Sequence, residues 1–165
     1  MTREQFIGEL DNWCSHRPAL WDALHHTEGK VIEFGMGDGS TLQLHNYCAE
    51  YSRVIRSYDS DIEWVDKFKW LQDENHAIRH KLNWDDTDLY CGLLFIDHAP
   101  GERRRIDIER AAFTAQIIVA HDTEPSADHG YQMRDILKMF PYMKDYETPG
   151  AWTTVVSNFI DVTKF

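Results

Sequence analysis

Apolar positions along the chain switch between a helical and a strand period. Phe6, Ile7, Leu10, Trp13 and Cys14 recur at helical spacing and predict an amphipathic first helix. Pro18 suits the first turn of a second, short helix with Leu20, Trp21 and Leu24 on its apolar side, ended by Thr27-Glu28-Gly29. From there strands and helices alternate. Val31–Phe34 is a short apolar run that breaks into glycines, and 40–50 reads as a helix. Strand-like 53–58 is followed by the helical spacing of 62–71, then by a weaker strand over 76–82. The run 89–96 is nearly all apolar, as a strand buried on both faces should be. A helix over 102–115, a strand over 116–120 and a helix over 131–140, stopped by Pro141, come next. The tail reads as two antiparallel strands, 142–147 and 151–159, joined by a Thr148-Pro149-Gly150 turn. Five strand–helix units followed by an antiparallel pair predict a doubly wound, mostly parallel α/β sheet in one domain spanning residues 1–165. Ligands of such sheets bind beyond the carboxyl ends of the strands.

Charge narrows the partners. Against 17 Lys+Arg stand 28 Asp+Glu, a net charge of −11. An excess of this sign repels a polyanion at long range, so nucleic acid is not an expected partner. No apolar run approaches the roughly 18–20 residues of a membrane span. Met1-Thr2-Arg3-Glu4-Gln5 shows no signal-peptide pattern, and Cys14, Cys48 and Cys91 are widely spaced with no CxxC. The expectation is a cytoplasmic domain with reduced, buried thiols.

The unusual residues sit at strand ends. Strand one runs into Glu33-Phe34-Gly35-Met36-Gly37-Asp38-Gly39-Ser40-Thr41. Alternating glycines let a ligand approach the backbone, and the next helix offers free amides. The spacing is G-x-G-x-G rather than the dinucleotide G-x-G-x-x-G, and the P-loop lysine is missing. Glu33 and Asp38 are wrong for a pyrophosphate and right for an ammonium or sulfonium. Strand two ends at Tyr58-Asp59, an acid placed to take ribose hydroxyls.

With Glu-x-Gly-x-Gly-x-Gly after strand one and an acid after strand two, the chain resembles the class I S-adenosylmethionine-dependent methyltransferases from Lys30 onward, the terminal hairpin included. That resemblance implies a Rossmann-like seven-stranded methyltransferase sheet and S-adenosylmethionine as cofactor. It places Glu33, Gly35, Met36, Gly37 and Gly39 around the methionyl part and Asp59 on the ribose. In the loop after strand three, Trp84 would cover the adenine and Asp85 accept from its amino group.

Strand four ends Asp97-His98-Ala99-Pro100 and strand five ends His121-Asp122-Thr123-Glu124, two acid–histidine pairs side by side. Methyl transfer is an in-line displacement, so the protein must align the acceptor and, for a hydroxyl, remove a proton. His98 or His121 is the candidate base, oriented by Asp97 or Asp122. In the second mechanism Asp97 and Asp122 hold Mg²⁺, as in the similar sugar-modifying and cephalosporin-hydroxylase-like methyltransferases, although His121 stands where that pattern has an acid. Arg103, Arg104 and Arg105 read as a solvated helix face paired with Asp107 and Glu109, with an arginine clamp for an anionic acceptor as the alternative, and His16, His25, His26, His45, His76, His80 and His129 carry no pattern.

The sequence thus predicts a compact methyltransferase acting on a small molecule, at a hydroxyl oxygen, with the helices of residues 1–28 folded over the site. With so little cap, the chain either takes a compact acceptor or completes its site as a homodimer through the tail hairpin and the N-terminal helices. The alternatives are a cofactor-binding subunit or sensor without activity, and an enzyme acting on a macromolecule. The Asn/Asp-Pro-Pro-aromatic motif of amino-methylating nucleic-acid enzymes does not stand at the strand-four end.

Overall fold

Seven strands build the sheet: β1 (Val31–Phe34), β2 (Ile55–Asp59), β3 (His76–His80), β4 (Cys91–Ile96), β5 (Ala115–His121), β6 (Tyr142–Tyr146) and β7 (Thr153–Ser157). In the computed structural model, which describes all residues except Asn12 and Pro149, they lie in the order β3-β2-β1-β4-β5-β7-β6. The first five are parallel; β7 runs antiparallel to both β5 and β6. The helices are α1 (Arg3–Ile7), α2 (Arg17–His25), α3 (Thr41–Glu50), α4 (Ile62–Phe68), α5 (Arg103–Ala111), α6 (Asp128–Tyr131) and α7 (Arg134–Leu137), with a 3₁₀ turn Lys69–Leu71 extending α4. None of them is long and apolar enough to cross a membrane.

Strand parity divides the core. Val31, Ile55, Leu93, Phe95, Ile117, Val119 and Val155 face one layer, where they pack on Phe6, Leu20, Leu24 and Leu44 of α1, α2 and α3. Their neighbours Ile32, Phe34, Leu94, Ile96, Ile118 and Val156 face the other layer, against Ile108, Met133 and Leu137. Successive side chains of a strand point to opposite faces, so a strand covered on both sides must be apolar throughout. All six residues of β4 are buried, each large side chain contributing about 1.5–3 kcal/mol.

The helix predicted over 102–115 stops at Ala111, and two others depart further. The first ends at Ile7, because Gly8 turns the chain out at φ +59°. Leu10 and Trp13 are then 50% and 81% exposed rather than packed. The helix expected over 131–140 is two single turns, α6 and α7, separated by Gln132 at φ +53°. The Asp128 carboxylate accepts from the Arg134 amide at 2.8 Å and so restarts the chain direction there. The predicted Thr148-Pro149-Gly150 turn includes Pro149, which lies outside the described residues.

The order of the sheet creates the site. From β1 the chain winds outward through β2 and β3, then returns to pair β4 against the free side of β1. Phe34 is in register with Ile96, and Ile96 with Ala120. The next residues, Gly35, Asp97 and His121, therefore emerge side by side at the point where the winding direction reverses, the usual ligand position of an open α/β sheet.

Candidate active site

Gly35 begins the loop at φ +90°, and a Cβ there would lie 2.5 Å from the carbonyl carbon and oxygen of Asp97. Only glycine permits this approach of the β1 and β4 ends. Behind the loop, Glu33 is completely buried. Its Oε1 accepts from Ser40 Oγ at 2.6 Å and Thr41 Oγ1 at 3.0 Å, while Thr41 Oγ1 itself accepts from the Gly37 amide at 2.9 Å. Burial pushes the Glu33 carboxyl up to about 7 in spite of these hydroxyl donors, and Oε2 has no partner. Asp59, at the end of β2, receives the Met36 amide on Oδ2 at 2.7 Å and the Asp61 amide on Oδ1 at 2.8 Å. Burial raises its pKa although both amides work against the shift. The β2 acid thereby holds the glycine loop in place.

At the other end stand Asp97 and His121. Parity puts both on the face of Phe95 and Val119, with Asp97 Oδ1 3.3 Å from His121 Nδ1. His121 Nδ1 is also 3.4 Å from Asp122 Oδ1, and its Nε2 lies 2.8 Å from Ser15 Oγ. Burial works against the charged imidazole, but the close carboxylate of Asp97 and the charge of Asp122 outweigh it and raise the His121 pKa. The same contact acts in reverse on Asp97: burial would raise its carboxyl, and His121 and Arg104 hold it below the ordinary range. Arg104 reaches in from α5, 6% exposed. It pairs with Asp97 Oδ1 at 3.0 Å and Asp122 Oδ2 at 2.9 Å, and donates to the carbonyls of His98, His121 and Asp97. His16, which precedes α2, packs on Phe95 with its ring tilted by 42° and sets its ring edge to face on His121, both at 4.9 Å between centroids. His16, Asp97 and His121 each bring a donor atom within 4.8 Å of the others.

One cavity of about 610 Å³ joins the two ends. Met36 to Ser40 and Asp59 to Asp61 line one side, Asp97 and Ala99 the other, and Trp13, Cys14, His16 and Trp64 the walls. The N-terminal segment presses onto the loop closely enough that a Cβ on Gly39 would lie 2.1 Å from the Trp13 carbonyl oxygen.

No protein-family model matches the sequence, and no curated protein matches it. Solved structures do. Cofactor-bound Rv0187 from MTB superposes with a TM-score of 0.67 at 14% identity, covering 93% of this chain and 83% of that one. An S-adenosylmethionine-dependent O-methyltransferase from Thermotoga maritima gives 0.61 at 14%, covering 86% and 64%. The methyltransferase PaMTH1 of Podospora anserina, bound to S-adenosylhomocysteine, gives 0.60 at 13%, covering 94% and 85%. The chain has the class I S-adenosylmethionine-dependent methyltransferase fold.

Within that methyltransferase fold the expected site residues divide. Met36, Gly37, Gly39, Asp59 and Asp97 line the cavity, with Gly35, Glu33 and His121 behind these residues. His98 borders the cavity too, but as the residue after Asp97 it takes the opposite parity, and its ring is buried 4.4 Å from Trp84 and 5.4 Å from Phe34. Its Nε2 lies 3.2 Å from Asp107 Oδ2. Burial, only partly offset by Asp107, lowers its pKa. The imidazole, expected as a base, is packed among Trp84, Phe34 and Asp107. Trp84 is likewise buried, against Phe34 and His98, instead of standing over a ligand. Asp85 faces solvent and pairs with Arg103. Neither lines the cavity; the tryptophans that do are Trp13 and Trp64. The Asp97–Asp122 pair expected to take Mg²⁺ is bridged by the Arg104 guanidinium, a cation already neutralising both carboxylates. Arg104, read from sequence as solvated, is the residue that ties the β4 and β5 ends together, whereas Arg105 does stay exposed. His16 carried no pattern in the sequence and gains its place only from the packing of α2 across Phe95.

Proposed function

We propose that the chain is an S-adenosylmethionine-dependent methyltransferase acting on a small molecule at a hydroxyl oxygen. The observation that carries the reading is the single cavity between the glycine loop and the Asp97–His121 pair. The residues present fit the cofactor. Glu33 keeps a buried oxygen without a partner, Asp59 retains acceptor capacity beside its two amides, and a Cβ on Gly37 would meet nothing within 4 Å. Glu33, Gly35 to Gly39 and Asp59 would hold it, and the acids suit a cation. When bound, the cofactor supplies a methyl group on a positively charged sulfur.

The protein's own part is at the acceptor. Asp97 lines the cavity, whereas His121 stands behind it, so Asp97 accepts the hydroxyl hydrogen bond and His121 Nδ1 takes up the proton. The raised pKa of His121 favours that transfer, and Arg104 keeps both carboxylates aimed. His121 keeps the proton-accepting role that the sequence suggested, with Asp97 standing between it and the acceptor. A cavity of about 610 Å³ has to contain donor and acceptor together, and roughly 300–1,000 Å³ is usual for small-molecule pockets. That supports a compact acceptor, as the net charge of −11 does. Three buried free cysteines support a cytoplasmic setting.

The test is transfer of a labelled methyl group to a panel of hydroxylated small molecules, with the Asp97→Asn protein alongside. Label on a hydroxyl with wild type and not with the variant supports the reading. Tight cofactor binding with no transfer to any acceptor favours a binding module instead.

A further inference from the structure

His16 has no role in the reading above, yet it is the most costly side chain at the site. It is 3% exposed, and neither ring nitrogen has a hydrogen-bond partner. Buried imidazoles normally find at least one donor or acceptor, because an unmet polar atom loses its water for nothing in return. His16 instead turns toward two other groups with open valences. His121 Nδ1 makes no well-formed hydrogen bond, and the contacts of Asp97 fall on Oδ1, leaving Oδ2 without an ion pair or hydrogen bond among the described residues. The three donor atoms lie within 4.8 Å of one another. Two imidazoles and one carboxylate, brought together at the wall of a cavity, form a donor set that a cation satisfies.

We propose that His16, Asp97 and His121 form a binding site for a first-row divalent cation such as Zn²⁺, Mn²⁺ or Fe²⁺. The donors come from three separate elements: the residue before α2, the end of β4 and the end of β5. Two of the three donors are nitrogens, which selects against Mg²⁺, a cation that takes oxygen ligands and retains its water. Imidazole and carboxylate together suit the harder transition metals and zinc. This site is distinct from the Asp97–Asp122 pair, where Arg104 already supplies the positive charge. Three protein donors leave coordination positions for small ligands, and the cavity supplies access to them. On the methyltransferase reading, and resting on it, that ligand is the acceptor oxygen. The cation and the proton on His121 Nδ1 are then alternatives at the same pair, and the metal takes over the task of stabilising the ionised acceptor. The site itself does not depend on that reading.

The experiment uses the full chain, stripped with chelator and titrated with Co²⁺ as a spectroscopic probe, then with Zn²⁺ and Mg²⁺ as competitors. One Co²⁺ per chain, with visible absorption bands of a nitrogen-ligated ion that Zn²⁺ displaces and Mg²⁺ does not, is the expected result. His16→Ala, with its fold checked by circular dichroism, is expected to weaken Co²⁺ binding at least about tenfold. Wild-type protein that takes up far less than one equivalent overturns the proposal, whether or not His16→Ala folds. So does displacement by Mg²⁺, or a folded His16→Ala protein that binds as tightly as wild type. Such a failure leaves the proton-transfer role of Asp97 and His121 standing, because cofactor binding and methyl transfer are measured separately from metal uptake.

Discussion

Asp97 Oδ1 and His121 Nδ1 face each other across 3.3 Å at the ends of two neighbouring parallel strands. The pair owes its position to strand parity and to a register in which Phe95 opposes Val119. It is the polar end of a cavity whose other end is the glycine loop. The two ends have separate tasks, so substitutions at each should fail in different ways.

Asp97→Asn keeps the shape of the acceptor end and removes the charge that draws the proton onto His121. Methyl transfer should fall by roughly 100-fold or more, within the usual reach of general acid–base catalysis. Cofactor affinity, measured by calorimetry, should change little by comparison. An equal loss of affinity and turnover would place Asp97 on the donor side instead.

Glu33 predicts a conflict between stability and binding. Its folded pKa of about 7 stands above the ordinary carboxyl value of 4.5, so the folded state binds the proton more tightly than the unfolded chain. Stability contributed by that proton is present below pH 4.5 and lost as pH rises toward 7. Glu33→Gln should therefore stabilise the cofactor-free protein at pH 8 by about 3 kcal/mol, with the difference vanishing near pH 4. The same variant should bind cofactor more weakly. Urea unfolding at the two pH values checks the first part, and calorimetry the second.

Two glycines of one loop should respond oppositely. Gly35→Ala forces a Cβ against the Asp97 carbonyl at 2.5 Å from a left-handed backbone and should cost about 3 kcal/mol or more. Gly37→Val, where the added atoms meet open space in the cavity, should leave the melting temperature nearly unchanged and block the cofactor. Thermal unfolding with and without S-adenosylhomocysteine separates the two.

Arg104→Ala leaves Asp97 and Asp122 paired with nothing but His121. About 2–3 kcal/mol of stability should be lost, at the lower side of buried pairs because both carboxylates are partly exposed. The loss should shrink only as pH falls below the ordinary carboxylate range, where Asp97 takes up its proton in the folded state, and denaturant unfolding across pH shows whether it does.

Much of this was legible in the residues. The glycine loop, the acids at the ends of β1 and β2 and the strand ends at Asp97 and His121 follow from local pattern, because alternating glycines and strand periodicity are local properties. Choosing between His98 and His121 was also within reach: His98 follows Asp97 directly, so it takes the other face of the sheet, while His121 continues the parity of Val119. Trp84 misled because a tryptophan near a binding loop and a tryptophan in the core carry the same letter; only its packing on Phe34 and His98 decides. Arg104 and His16 were out of reach. Each acts through contacts with residues far along the chain, Arg104 with Asp122 and His16 with Phe95, and nothing in their immediate sequence distinguishes them from a solvated arginine or a stray histidine. The first helix failed at Gly8 for a simpler reason, since apolar spacing continued past a residue whose positive φ had already ended the helix.

The most direct test of the account is calorimetric titration of the wild-type protein with S-adenosylhomocysteine, beside Gly37→Val. The account predicts one equivalent bound by wild type and none by the variant at equal stability. No binding to folded wild-type protein, or equal binding by both, would contradict it.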